Sequence, residues 1–482
     1  MLKLFTGSDL YNSNLSRGVA QLASALAWGA RGRRFESARP DHIKITGNYM
    51  KKIRVGIVGF GTIGCGVVKA LLSKRAFLRD KSGVDVVLAK VCDKDLKTKR
   101  PVKLGKKLLT RSFGDILYAP DIDIVVELVG GIHPAKDIIL EALRHGKHVV
   151  TANKALLSES GAEIFGLASR LGLSVGFEAS VGGGIPIIRA LKEGFVANRM
   201  DLIYGIINGT SNFILSKMAE EGRSFEEALA LAQEKGYAEK DPSLDIDGID
   251  SSHKLSILAL LGFGVDIKPK NIYTEGISDI ESIDIKFCME HGYAIKLLAV
   301  AKRTGDSLEL RVHPTLIPKA HQLANVNGVY NAIFVKGDLV GEELFYGQGA
   351  GALPTSSAVV SDIIEIAKNA SVCPCPTSRR SGAGSFKKDV ERIKPMDEVK
   401  TRYYVRFSTI DKPGVLAKIS GILGKYGISI ATVTQKEKGS SKVIPIIMMT
   451  HETLERDMAK ALKEIDSLSV IKKRSVRVRI EG

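Results

Sequence analysis

The sequence predicts an α/β protein: a doubly wound parallel sheet, then an α+β half, then a small C-terminal βαββαβ module. Three observations predict this. A short apolar run at 53–58 passes through Gly59-Phe60-Gly61-Thr62-Ile63-Gly64 into a helical pattern at Val67, Val68 and Leu71. Strand-like and helix-like runs then alternate in β-α-β rhythm to about residue 177. Beyond a stretch at 371–400 that holds Pro374, Pro376 and Ser381-Gly382-Ala383-Gly384-Ser385, strands and helices recur in a short fixed order.

Bulk properties set the class. A chain of 482 residues is long enough for about three domains. With 44% hydrophobic and 26% charged residues it is ordinary soluble globular protein. No apolar run approaches the ~20 residues of a membrane helix, so no membrane partner is expected. The net charge of +17, from 70 Lys+Arg against 53 Asp+Glu, raises the question of nucleic acid. The excess is spread without a basic run or interleaved aromatics, so nucleic acid is not an expected partner; it suits anionic cofactors instead. The five Cys, at 65, 92, 288, 373 and 375, make no disulfide framework, and Cys373-Pro374-Cys375 lacks the spacing and second pair of a zinc site. A reducing cytoplasm is expected.

Residues 1–49 stand apart. They carry seven Lys/Arg against three acids, several Ser and the chain's single Trp, Trp28. An Arg- and Ser-rich, acid-poor leader has the composition of a transit peptide. The run from Arg17 to Ser37 also resembles the conceptual translation of a transfer-RNA gene, and Met50-Lys51-Lys52-Ile53-Arg54 enters a strand at once. Met50 is therefore the expected start, with 1–49 a spurious or disordered extension.

Residues 50–177 read as a dinucleotide-binding domain of Rossmann type. Strand, G-x-G-x-x-G and helix in succession give the motif its context: Gly59 for the tight turn, Gly61 for close approach of the pyrophosphate, Gly64 for helix–strand packing. The helix N-terminus faces the phosphates with free N–H groups. A second strand ends at Cys92-Asp93-Lys94, where an acid favours the ribose of NAD. Lys94, Lys97, Lys99 and Arg100 offer a 2′-phosphate site instead, so NAD and NADP both stay open. Two more strand ends, Val129-Gly130-Gly131 and Thr151-Ala152-Asn153-Lys154, lie where ligands bind in such sheets. Lys154 is either directed at the nicotinamide or an ordinary helix-initiating surface residue.

Residues 178–344 read as the substrate and dimerisation domain. Glu178 opens a triple-glycine turn, Val181-Gly182-Gly183-Gly184-Ile185, whose carbonyls could ligate a cation together with the Glu178 carboxylate; a flexible hinge is the alternative. Asn208-Gly209-Thr210-Ser211-Asn212 is a polar turn suited to capping a helix and touching a small ligand. Between Gly236 and Lys254 five carboxylates fall within 239–250, ahead of an apolar helical run. If that helix has begun by Gly248, Asp250 and Lys254 share a face. They make either a proton-delivering pair for an amino-acid substrate or a plain surface salt bridge. The position of the Gly excludes a calcium loop. A second glycine turn, Phe345 to Thr355, precedes a helix at 356–370 that would close over the cofactor and complete the first domain with 345–370.

From about 52 to 370 these motifs, in this order, resemble homoserine dehydrogenase. They are Gly59 to Gly64, Thr151-Ala152-Asn153-Lys154, Glu178 to Ile185, Asn208-Gly209-Thr210, Gly236-Tyr237-Ala238-Glu239-Lys240-Asp241-Pro242 with Asp247-Gly248-Ile249-Asp250 and Lys254, and Gly349-Ala350-Gly351. That family reduces aspartate 4-semialdehyde to homoserine with NAD(P)H, a step toward threonine, methionine and isoleucine. The resemblance implies that Lys254 is the proton donor and that Lys154 assists at cofactor and substrate. Glu239 and Asp250 would hold the substrate's amino end, with Tyr237, Asp245, Gly209 and Thr210 around it. Gly59, Phe60, Gly61, Thr62, Ile63, Gly64, Asp93, Val129, Gly130, Lys154, Gly236, Gly349 and Gly351 would hold the cofactor. Glu178 with the carbonyls of Val181, Gly183 and Ile185 would bind a monovalent cation, Na+ or K+. Many relatives carry Arg where this chain has Cys92. Two lysines in one cleft should lower each other's pKa, and an ammonium beside the carbonyl suits hydride addition. A related sugar or dihydrodipicolinate-type reductase and a non-catalytic regulator are the rivals that this lysine pair argues against.

After the 371–400 linker, 401–482 holds Asp411-Lys412-Pro413-Gly414-Val415-Leu416 within its βαββαβ order and resembles an ACT domain. Such domains pair sheets between subunits and bind amino acids at the joint. A threonine effector and a homodimer or homotetramer are therefore expected, in the monofunctional form of the enzyme.

Overall fold

The computed structural model describes residues 52–372, 390–435 and 443–482; the expectations for 1–49 and for most of the 371–400 linker, Cys373 and Cys375 included, lie outside them. Strands β1 (Lys52–Val58), β2 (Asp85–Cys92), β3 (Leu109–Thr110), β4 (Ile124–Glu127), β5 (His148–Thr151) and β6 (Val175–Gly176) form one parallel sheet in the order β3-β2-β1-β4-β5-β6. Both faces are covered, so the strands are apolar throughout: Val55, Ile57, Ile124, Val125 and Val126 are all fully buried. Helices α1 (Thr62–Ser73), α2 (Arg75–Ser82), α3 (Ala135–Arg144) and α4 (Lys154–Leu171) connect them. The sheet grows outward in opposite directions from β1 and β4, which places a ligand crevice beyond their carboxyl ends.

The second half builds a mixed sheet from β7 (Met200–Ile206), the two-residue β8 (Tyr273–Thr274), β9 (Tyr293–Thr304), β10 (Ser307–Pro318), β11 (Tyr330–Gly337) and β12 (Gly341–Gln348). Against it lie α5 (Gly209–Glu221), α6 (Phe225–Glu234), α7 (Ile249–Phe263) and α8 (Ser282–Glu290). Ser224 caps α6 in a full capping box with Glu227. The glycine turn predicted from Phe345 is narrower than expected, because β12 runs on to Gln348. α9 (Ala352–Val372) then returns to the first sheet and shares a core with α1 and β1 through Val359, Ile363 and Ala367. A Cβ on Gly66 would lie 2.2 Å from Ser356 Oγ, so a glycine there lets α1 and α9 cross closely.

The C-terminal module has the predicted order: β13 (Arg392–Ile393) leads to β14 (Lys400–Ile410), α10 (Val415–Lys425), β15 (Ile430–Gln435), β16 (Val443–Thr450), β17 (Thr453–Leu454), α11 (Glu455–Asp466) and β18 (Ile471–Ile480). Its sheet is continuous with that of the catalytic half, since the end of β18 pairs in parallel with β10 at Thr315↔Arg479 and Leu316↔Ile480. The end of the expected linker is also tied down, as β13 pairs with β10 at Ser307 and Leu308. Pro314 sits in the break between β8, paired to 311–312, and β18, where a missing N–H costs least.

Candidate active site

α7 begins one residue after Gly248, whose left-handed φ of 80° turns the acidic stretch into the helix. Asp250 therefore stands in the first turn, where a carboxylate faces the helix N-terminus, and Lys254 lies one turn on. The expected pair is made: Lys254 Nζ donates to Asp250 Oδ2 at 2.6 Å and to the Ile207 carbonyl oxygen at 2.6 Å. Lys154, first residue of α4, brings its Nζ to 2.7 Å from Asp250 Oδ1. The surface salt-bridge alternative is excluded, because Asp250 is 6% and Lys254 7% exposed.

This burial sets the protonation states. For Asp250 burial alone would favour the neutral acid, but the two ammonium groups outweigh it and hold the carboxyl well below its usual range. Lys254 is pushed below the ordinary lysine value, first by burial and then by the Lys154 charge, against the pull of Asp250. The expectation that the two lysines lower each other's pKa holds for Lys254 and is corrected for Lys154. Burial works against the Lys154 ammonium too, but Asp250, Asp245 and Glu239 hold its pKa above the ordinary value.

Asn208, expected in a helix-capping turn, is also a hub whose contacts to Asp245 and Asp250 the sequence did not single out. Its Oδ1 caps α5 by accepting Ser211 N–H at 2.8 Å, while its Nδ2 donates to Asp245 Oδ1 at 2.7 Å and Asp250 Oδ2 at 2.9 Å. Its place just before Gly209-Thr210-Ser211 was the available signal. Thr210 spends its hydroxyl on the Tyr237 carbonyl oxygen, 2.7 Å, and the half-exposed Tyr237 ring lies edge-on to Phe213. Gly209 must be small, because a Cβ would meet Val329 O at 2.8 Å. Glu239 is exposed.

On the dinucleotide side the three glycines divide their work as expected. Gly59 holds φ 108° with Leu128 backbone 2.6 Å from its missing Cβ, the space before Gly61 is open to 4 Å, and a Cβ on Gly64 would lie 2.1 Å from Gly59 O. Gly64→Ala should therefore force the loop and helix apart, raising the Kd for the nicotinamide coenzyme about tenfold or more at a strain of ~1–3 kcal/mol; a fluorescence titration checks it.

Asp93, the expected ribose ligand, has a structural task of its own. One oxygen accepts Phe60 N–H at 2.6 Å and the other Asp95 N–H at 2.8 Å, so it buttresses the glycine loop. Arg100 joins this corner, donating to Phe60 O at 2.6 Å with its guanidinium over the Phe60 ring, while Lys94, Lys97 and Lys99 stay exposed. Cys92 is buried in the core behind, its thiol pushed up to about 11 by burial.

Glu127, a second residue the sequence reading missed, is fully buried at the end of β4. It accepts from Val129 N–H at 2.7 Å, Gly130 N–H at 3.2 Å and Thr151 Oγ at 2.7 Å, tying the Val129-Gly130 loop to the strand end that carries Lys154. Asn153 caps α4 through Leu156 N–H and donates to Gly131 O at 2.6 Å. Gly236 turns the chain out of α6 at φ 71°. Gly349 packs on Asn331 with no room for a Cβ, and Gly351 adopts φ 122° just before α9.

The Glu178 carboxylate oxygens accept Ile188 N–H at 2.8 Å and Arg189 N–H at 2.9 Å. Ile185 O already accepts Ile187 N–H. Among the described residues the Val181 and Gly183 carbonyl oxygens accept no backbone hydrogen bond.

Three comparisons bear on this geometry. The family model "Homoserine dehydrogenase, NAD binding domain" matches residues 59–178, "Homoserine dehydrogenase" matches 186–364 and "ACT domain" matches 403–470. A homoserine dehydrogenase of Neisseria gonorrhoeae is 44% identical over 436 residues, covering 90% of this chain and 99% of its own. The crystal structure of a homoserine dehydrogenase from Thiobacillus denitrificans matches with a TM-score of 0.84 at 44% identity, over 90% of this chain and 99% of that one. A hyperthermophilic archaeal homoserine dehydrogenase in complex with NADPH matches with a TM-score of 0.56 at 27% identity, over 66% of this chain and 98% of that one.

Proposed function

The chain belongs to the homoserine dehydrogenase family, and we propose that it interconverts L-aspartate 4-semialdehyde and L-homoserine with a nicotinamide coenzyme, Lys254 delivering the proton. The observation that carries the assignment is the Lys154–Asp250–Lys254 triad, 2.7 and 2.6 Å, with Asp250 and Lys254 buried, at the carboxyl end of the parallel sheet. When bound, the reduced coenzyme supplies hydride to the aldehyde carbon. Charge then grows on the aldehyde oxygen, and a buried ammonium stabilises it before giving up a proton. Lys254 is suited to this role because two of its three N–H groups are spent on Ile207 and Asp250, and one is left for the oxygen. Its lowered pKa eases the transfer, and Asp250 keeps the ammonium oriented. Lys154 steadies the same oxygen or the coenzyme, while Glu239 and Asp245 supply negative charge for the substrate's own ammonium. Turnover of L-homoserine by the full chain, and its loss in Lys254→Ala, tests this.

The glycine loop with Thr62 and Ile63 at the start of α1 would hold the pyrophosphate, with Val129, Gly130, Gly236, Gly349 and Gly351 bordering the rest. Arg100 touches the loop at Phe60, and the archaeal relative's complex is with NADPH. Arg100 would therefore meet a 2′-phosphate. Arg100→Ala should lower kcat/KM with NADP roughly tenfold and leave NAD little changed; equal losses with both would mean that Arg100 only braces the loop.

A monovalent cation would sit on the Val181 and Gly183 carbonyls with Glu178 holding the turn; activity should then rise with K+ or Na+. The ACT module would take threonine as effector and the enzyme would work as a homodimer or homotetramer. If threonine alters neither activity nor thermal stability of the full chain, the effector is wrong. The buried free thiols of Cys65, Cys92 and Cys288 fit a cytoplasmic setting, and no helix of the described residues is long and apolar enough to cross a membrane.

A further inference from the structure

α4 and α7 meet at the site through two side-chain pairs, each about one turn from the other. The first is Lys154–Asp250, 2.7 Å. The second is Ser158–His253, with Oγ 2.7 Å from Nδ1. Lys154 and Ser158 are four apart on one helix, and Asp250 and His253 three apart on the other, so the pairs stack on the same seam. Ser158 also donates its hydroxyl proton to the Ala155 carbonyl oxygen at 3.0 Å. Its oxygen then accepts, and the imidazole is assigned the Nδ1–H tautomer on that network. Burial keeps the His253 ring below its ordinary pKa, opposed by Asp250 and Glu159 and aided by Lys154.

Lys154 needs such support. Its ammonium is at the end of a flexible stem on the first residue of α4, with a side chain 44% exposed, while its partner Asp250 is fixed and buried. Whether it stays at 2.7 Å depends on the gap between the two helices. We infer that Ser158 and His253 are a positioning pair that sets this gap and so holds the Lys154 ammonium against Asp250 and the reacting groups. The inference rests on Lys154 acting in the reaction.

The test is steady-state kinetics of L-homoserine oxidation by the full chain and five variants: His253→Ala, His253→Asn, Ser158→Ala, Lys154→Ala and the His253→Ala/Lys154→Ala double. His253→Ala and Ser158→Ala should each lower kcat about tenfold, since a misplacement near 1 Å can cost up to ~100-fold, with KM for homoserine little changed. His253→Asn, whose amide N–H can reach the same oxygen, should recover most of kcat. In the Lys154→Ala background His253→Ala should cost less than about twofold, because residues acting as one unit are not additive. An additive loss in the double variant, or an unchanged kcat in folded His253→Ala and Ser158→Ala, overturns the inference while leaving Lys154 in place. Full activity of Lys154→Ala overturns both. Should His253→Ala fold poorly, Ser158→Ala and His253→Asn decide the matter.

Discussion

Lys254→Ala is expected to lower turnover of homoserine by roughly 100- to 10,000-fold, the range for losing a positioned proton-transfer group. Two effects add. The variant loses the ammonium that protonates the carbonyl oxygen and most of the charge that stabilises it, and among the described residues it leaves Asp250 with the half-exposed Lys154 as its ionic partner. Homoserine should still bind, because Asp250, Asp245 and Glu239 remain, so kcat falls more than KM rises. Lys254→Arg separates charge from proton transfer. A guanidinium keeps the positive charge but releases no proton near neutral pH, so it should recover less than about tenfold of the loss. Single-turnover rates with each variant check this; a Lys254→Arg enzyme near full activity would leave Lys254 as a charge only.

The second large effect lies far from the chemistry. Glu481, the penultimate residue, is 4% exposed and accepts from Arg311 at 2.6 Å and from the Tyr204 hydroxyl at 2.6 Å, with Lys302 at 3.2 Å. Arg311 is itself 1% exposed, with Glu309 as its other acid. Glu481→Ala should therefore destabilise the protein by about 3–5 kcal/mol, the cost of stranding a buried charge, as read from urea unfolding. Burial pushes the Glu481 carboxyl up, but Arg311 and Lys302 win and bring it down to about 2. A folded pKa below the unfolded one stabilises above the unfolded value. Its contribution is thus complete above about pH 5 and drains away as pH falls toward 2. The difference between parent and variant should shrink over that window; a constant difference would mean that packing, not charge, is what Glu481 supplies.

The same junction shows where sequence reading stops. Gly59 and Gly64 were legible because a left-handed turn and a close helix–loop contact demand glycine, and Gly61 from its place in the motif. Asp250 and Lys254 were legible because helix pitch makes fourth neighbours meet. Asn208 and Glu127 were not, since an N-cap Asn and a strand-end Glu look the same whether they fix a loop or orient a catalytic carboxylate. Asp93 was legible as a strand-end acid, but its hold on the Phe60 N–H was not, because that contact forms only when the glycine loop folds over the strand end. The joining of the two sheets was out of reach: pairing Thr315 with Arg479 spans most of the second half and leaves no local signature. Arg311, Arg479 and Glu481 are likewise buried only once the sheet closes over them, which no local pattern announces.

The most direct measurement is the L-homoserine-dependent reduction of NAD and of NADP by the full chain, with the product identified. Turnover with one or both coenzymes is expected, with L-aspartate 4-semialdehyde as the product and loss of that turnover in Lys254→Ala. Binding of the coenzyme, seen as a rise in thermal stability, without any homoserine-dependent reduction would contradict the proposed reaction.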